Sequence, residues 1–191
     1  MDGKVFALIA RKGAGKSYFI KEKILSPWGF RKTYIIDWND EYTAFKNEFT
    51  LPTSKENFLQ LINERASHKG ARSNIIFEEA THFLRKMGNT DGRVISQITR
   101  TFHTKNIVVF VFHSMLAVPH DFFPNIDFWV IFQTQDNPHE VRKHYKGRED
   151  ILNAYLDVYE KTKGTLFDRA NKTYPDEYSK NFYHYKKIIA L

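Results

Sequence analysis

Val5-Phe6-Ala7-Leu8-Ile9-Ala10-Arg11-Lys12-Gly13-Ala14-Gly15-Lys16-Ser17 is the stretch that decides the fold. Its first six residues are apolar without alternation, as a strand covered on both faces requires. A glycine-bearing loop follows. Ser17–Leu25 then has a helical pattern, and Ser26-Pro27 ends it, because proline cannot continue the hydrogen-bond ladder. Strand, glycine loop and helix in this order form a phosphate-binding loop, Gly-x-x-x-x-Gly-Lys-[Ser/Thr]. Gly13 and Gly15 permit backbone conformations in which successive N–H groups point inward at an anion. The helix N-terminus adds partial positive charge. Arg11, Lys12, Gly13, Ala14, Gly15, Lys16 and Ser17 are therefore the expected nucleotide contacts. Lys16 is expected at the β- and γ-phosphates of ATP and the Ser17 hydroxyl on Mg²⁺. Ala10 replaces the first glycine of the pattern, a small enlargement. The competing reading is a chance Gly-Ala-Gly-Lys-Ser in an ordinary strand–turn–helix.

Outward from this loop, strands and helices alternate. Thr33–Trp38, Ser73–Glu78, Ile107–His113 and Phe128–Gln133 read as further strands. Thr53-x-x-Glu56 is a capping box opening a helix over Phe58–Ile62. Glu79–Met87 and Gly92–His103 read as helices around the loop Gly88–Asp91. Asn137-Pro138-x-Glu140 supplies an N-cap, a proline at the first helical position and an acid in the first turn, for a helix to Tyr145 that Gly147 can close. Glu149–Lys163 reads as an amphipathic helix stopped by Gly164. Thr165–Leu191, aromatic and basic, is expected to contain a hairpin. The pattern predicts one α/β domain over residues 1–191, with a core at about 4–135 and an extension at about 137–191. Its sheet should be mainly parallel with helices on both faces. Ligands of such sheets sit beyond the carboxyl ends of the strands, where all the chemical residues singled out here fall.

A phosphate loop needs a carboxylate at a second strand end. Asn74-Ile75-Ile76-Phe77-Glu78-Glu79 supplies two. Glu78 is the expected Mg²⁺ residue and Glu79 the expected general base that polarises water. Aspartate is the usual first acid, so the reach of Glu78 is in question. The alternative is that both glutamates are N-terminal acids of the next helix. His113 ends the following strand and is a candidate sensor of the γ-phosphate, or else a half-buried histidine satisfied locally. Arg100 precedes that strand and is the candidate arginine finger, with Arg93 and Arg142 as competitors.

Composition narrows the class. Hydrophobic residues make up 42% and aromatics 16% of 191 residues, enough for a sizeable core. The absence of cysteine excludes a disulfide framework and a thiolate metal site. Met1–Phe6 lacks the charged and apolar regions of a signal peptide. The longest uncharged stretch, Asn106–His120, is shorter than the ~20 residues that cross a bilayer, and Pro119 interrupts it. Net charge is +7, and residues 101–140 carry one Lys/Arg against four Asp/Glu while every other part is positive. The apolar, acidic block reads as buried sheet. The basic flanks suit a polyanion or simply a solvated surface.

These motifs together resemble the FtsK–HerA superfamily, and within it the small genome-packaging ATPases of tailless viruses with an internal membrane. Four features carry the likeness over residues 4–135. They are the loop at 10–17; Tyr34-Ile-Ile-Asp37 with Asp40-Glu41-Tyr42; Glu78-Glu79; and Arg100 before an apolar strand tipped by His113, then Phe123-Pro124-Asn125 and Phe128–Gln133. Ala10, Glu78 and His113 depart from the family pattern. The resemblance implies a P-loop NTPase of RecA-like, ASCE type in three layers. It implies ATP and Mg²⁺ as cofactors and a ring homo-oligomer, expected as a hexamer, with an arginine acting in trans. It also implies DNA held through its backbone, partners at the viral capsid vertex, and a location in the host cytoplasm or at the packaging vertex of the virion. Candidates for backbone contact are Arg65, Lys69 and Arg72; Arg85, Lys86 and Arg93; and Arg142, Lys143, Lys146 and Arg148. Two other readings remain: a Zot-like assembly ATPase of filamentous phage, and a nucleotide-dependent switch or scaffold with little turnover.

Overall fold

The computed structural model describes residues 3–20, 24, 33–36, 60, 73–78, 80, 105–162 and 186–189. Among the described residues, six strands form one sheet: β1 (Lys4–Ile9), β2 (Thr33–Ile36), β3 (Asn74–Phe77), β4 (Ile107–Phe112), β5 (Phe128–Ile131) and β6 (Lys186–Ile189). Their order is β2-β3-β4-β1-β5-β6. The first five run parallel, and β6 lies antiparallel on β5. Each expected strand is present; Ala10, Glu78, His113, Phe132 and Gln133 fall just past the ladder, and Asp37 and Trp38 lie outside the described residues. Beyond β1 and β5 the chain stays tied across the sheet, through Phe132 N to Ile9 O (2.8 Å) and Arg11 N to Gln133 O (3.0 Å). Of the expected terminal hairpin, Lys186–Ile189 is described, and its partner is β5.

Alternation along the strands divides the interior into two layers. Val5, Ala7, Ile9, Phe110, Phe112, Trp129 and Ile131 face one cluster, which also holds Val141, Tyr145, Ile151, Tyr155 and Val158. Those last residues belong to helices α2 (Pro138–His144, with Tyr145 as its C-cap) and α3 (Glu149–Thr162). Leu8, Ala10, Val109, Val111, Val130 and Phe132 face the other cluster, with Phe19, Ile20 and Ile24. Phe19 closes helix α1 (Lys16–Phe19), and beyond it the described part of the expected helix is Ile20 and Ile24. β4 is buried along its whole length, as its unbroken apolar run requires.

Local chemistry explains the C-terminal helices. Asn137 Oδ1 accepts from His139 N at 2.8 Å and Pro138 occupies the first turn, so α2 starts where the cap predicts. Gly147 takes φ 85° between α2 and α3, a conformation that favours glycine. Two 3-10 turns, Met115–Ala117 and His120–Asn125, lead from β4 towards β5 and were not expected from the sequence. The helices expected after Thr53 and over 79–103 lie outside the described residues, apart from Gln60 and Ala80, both helical.

Trp129 is fully buried, edge-on to Phe123 (5.4 Å between ring centroids) and Tyr145 (5.9 Å). Its indole N–H has no hydrogen-bond partner among the described residues. Trp129→Ala should cost about 3–5 kcal/mol of stability, as large core truncations do. Trp129→Phe should cost clearly less, since it also removes the unsatisfied N–H. Denaturant unfolding of both variants checks this ordering.

Candidate nucleotide-binding site

The site forms where β1, β4 and β3 end side by side. Ala10 N donates to Phe112 O at 2.9 Å, and Arg11 N to Gln133 O at 3.0 Å, so the loop leaves β1 clamped between the ends of β4 and β5. Gln133 also donates through Nε2 to Thr162 O at 2.9 Å, which ties the end of α3 to the same corner. The loop closes with Ala14 N on Arg11 O (3.2 Å) and enters α1 with Phe19 N on Gly15 O (3.0 Å). Gly13 and Gly15 adopt φ 81° and 87°. Ala10 is absent from the described positive-φ residues and fully buried, so the methyl that departs from the loop pattern fits. Lys12 and Gly13 are exposed at the loop tip, while Arg11, Ala14, Gly15 and Ser17 are half-buried.

Lys16 and Glu78 meet beneath this loop. Nζ lies 3.0 Å from Oε1 of Glu78, and the residues are 5% and 0% exposed. The approach is too bent to count as a hydrogen bond, so the contact is an ion pair. An ionised side chain leaves water only at a cost of several kcal/mol, which a close counter-charge must offset. The Glu78 side chain extends from the end of β3 to the lysine of the phosphate loop, across the intervening β4.

His113 follows β4 and lies between these groups in the strand order. It is half-buried, with Nδ1 3.3 Å from Ala10 O. A carbonyl oxygen only accepts, so Nδ1 carries the proton in this bond. A neutral ring then presents Nε2 as an acceptor, suited to a water molecule. Donation from Nε2 to a phosphate requires the imidazolium. The local and the sensory readings of His113 thus use different nitrogens of one ring.

The turn after His113 holds a group that sequence reasoning missed. The Asp136 carboxylate accepts from Ser114 Oγ and, at 2.7 Å, from Met115 N. Tyr155 OH donates to Asp136 O, and Tyr145 OH to Met115 O, each at 2.9 Å. Burial pushes both phenols well above the ordinary tyrosine range, and the Asp136 charge adds to it. Both tyrosines therefore remain neutral donors. No sequence signal beyond a lone acid ahead of the Asn137 cap marked Asp136.

The described residues bring together Arg11–Ser17, Glu78 and His113. Glu79, Arg93 and Arg100 lie outside them, as do Arg65, Lys69, Arg72, Arg85 and Lys86. Arg142, Lys143 and Lys146 are exposed on and just after α2, and Arg148 Nε sits 3.5 Å from Asp150.

No family model and no curated protein matches the sequence. Solved structures do match its shape. B204, the DNA-packaging ATPase of Sulfolobus turreted icosahedral virus, superposes with a TM-score of 0.67 at 16% identity, over 84% of this chain and 89% of that one. The chain has the B204 fold. The genome-packaging NTPase B204 of Sulfolobus turreted icosahedral virus 2, in complex with AMPPCP, gives 0.63 at 16% identity, over 90% and 95%. EssC (ATPases 2 and 3) from Geobacillus thermodenitrificans gives 0.58 at 11%, over 70% of this chain and 32% of that one. At these identities the likeness is one of fold.

Two outcomes follow from the buried pair. Lys16→Ala removes the close counter-charge of a fully buried carboxylate and should lower the stability of the nucleotide-free protein, by up to about 3–5 kcal/mol. Adding Glu78→Gln should recover most of that loss, because the amide needs no counter-charge. Urea midpoints of the single and double variants read both.

Proposed function

We propose that the chain is a Mg²⁺-dependent ATPase that couples ATP hydrolysis to translocation of DNA into a preformed viral capsid. The observation that carries the reading is the ion pair of Lys16 with Glu78 below a phosphate loop, with His113 just past the strand between them. A cation suited to phosphate, a carboxylate suited to a metal and a ring suited to water at adjoining strand ends support the reading. The fold shared with B204 supports the packaging reading.

In the resting chain Lys16 and Glu78 neutralise each other. When a triphosphate enters, the amides of Gly13–Ser17 receive its oxygens and Lys16 turns to the β- and γ-phosphates. Glu78, relieved of its lysine, and the half-buried Ser17 suit a hard cation with oxygen ligands. Mg²⁺ bound there supplies neutralisation of phosphate charge. His113 accepts a hydrogen bond from the water near the γ-phosphate and orients it, and Glu79 takes one proton from that water as general base while its oxygen attacks phosphorus. An arginine from a neighbouring subunit, Arg100 ahead of Arg93 and Arg142, stabilises the transition state. The assembly is a ring, as a hexamer, at the packaging vertex or in the host cytoplasm. Arg142, Lys143 and Lys146 suit sequence-independent contact with DNA phosphates.

Steady-state phosphate release from ATP, with and without double-stranded DNA, tests this reading. We expect release that needs Mg²⁺, rises with DNA and loses that rise as salt increases. Glu79→Gln should lower release by at least about 100-fold, within the range of general acid–base catalysis, while ATP still binds. Negligible release at every DNA concentration would leave only a nucleotide-dependent switch.

A further inference from the structure

Asp136 lies outside the phosphate loop and the acidic strand end, yet it holds the turn that presents His113. Its two carboxylate oxygens are spent on consecutive residues of that turn, Ser114 through Oγ and Met115 through N. Ser114 Oγ in turn accepts from Leu116 N at 3.1 Å, so the hydroxyl cannot rotate away without breaking a second bond. A carboxylate accepting from a backbone N–H and a hydroxyl makes charge-assisted bonds, about twice as strong as neutral ones. Upstream, His113 is bound to Ala10 O at the start of the phosphate loop. Downstream, the Asp136 and Met115 carbonyls accept from the phenols of Tyr155 and Tyr145, on α3 and at the end of α2. The turn therefore has no slack on either side. Met115 is fully buried, which blocks its displacement into solvent.

We propose that Asp136 is the positioning residue of His113, fixing the ring at the γ-phosphate end of the site and tying its placement to helices α2 and α3. The functional half of this statement rests on the ATPase reading. The positional half does not. Asp136 touches no reacting atom. Its effect on nucleotide passes through the Ser114–Met115 turn to the ring, and it should bear on the γ-phosphate and leave the phosphate loop itself unaltered.

Asp136→Asn retains the size and backbone bonds of the residue, but replaces one acceptor with a donor that faces Ser114 Oγ or Met115 N. The full chain is titrated with ADP and with AMPPCP, each with Mg²⁺. We expect ADP affinity within about 2-fold of the unsubstituted protein, and the preference for AMPPCP over ADP reduced by about 10-fold, a coupling of ordinary size. His113→Ala should reduce the preference equally, and the double variant no further. Equal weakening of both nucleotides with a lowered melting temperature would make Asp136 a mere brace and overturn the proposal, as would an unchanged preference. A second measurement needs no nucleotide. The His113 ring nitrogens are observed by NMR, and Asp136→Asn should move their signals while Asp150→Asn, at an exposed carboxylate, leaves them in place. Unmoved signals would refute the positioning. Moved signals in a protein that binds neither nucleotide would uphold it and refute the ATPase reading alone. Ser114→Ala, which removes one of the two bonds, should give a smaller change of the same kind in both measurements.

Discussion

One buried charge pair constrains the rest of this molecule. Lys16 and Glu78 are held out of water at 3.0 Å. Burying either charge is costly, and the other offsets part of that cost at close range. They come from separate strand ends, so the sheet must bring those ends into reach of each other. Parallel strands sit about 4.8 Å apart, which puts β3 about 10 Å from β1 with β4 between them. A long lysine and a long carboxylate close that gap. The same arrangement puts the end of β4, with His113, in the middle of the site. A sheet with β3 next to β1 would leave no room there for the ring.

The supporting contacts serve the same corner. The start of the phosphate loop is bonded to β4 through Phe112 O and to β5 through Gln133 O. Gln133 extends the hold to the last residue of α3. Asp136 adds the turn after His113. Each bond contributes modestly to stability, since folding exchanges it for bonds with water. Their joint effect is to fix relative position. Three consecutive strand ends and two helices share one rigid edge, a setting in which donors and charges can be aligned before the substrate arrives.

The parts that were legible in the sequence are those with a local cause. The apolar run of β4, the glycines of the phosphate loop and the Asn137-Pro138 cap each announce their conformation within a few residues, and the structure shows all of them. So does the carboxylate ending β3. Long-range pairings left no such trace. That Lys16 meets Glu78 instead of solvent depends on strand order, which periodicity does not encode. Asp136 acquires its role from Ser114 and Met115, more than 20 residues away in sequence. The 3-10 turns between β4 and β5 arise from the same tertiary ties, and their residues carry no regular apolar period. The β6 strand pairs with β5 across the whole of α2 and α3, a partner that no local signal announced, and the rest of the expected hairpin lies outside the described residues.

The departures from the phosphate-loop and acidic patterns now have physical reasons. At position 10 glycine is needed only if the backbone is left-handed or a neighbour approaches too closely for a methyl. Ala10 has neither problem: its backbone still follows β1, and its side chain joins the cluster around Phe19 and Phe132. The positions that do take positive φ, 13 and 15, have kept glycine. At position 78 the longer acid carries its oxygen to Lys16 over the width of β4. An aspartate on the same backbone would stop a methylene short and leave the buried ammonium under-compensated unless the loop moved inward. The chain can thus keep the geometry of the site while changing residues, as long as each change leaves the buried charges in contact.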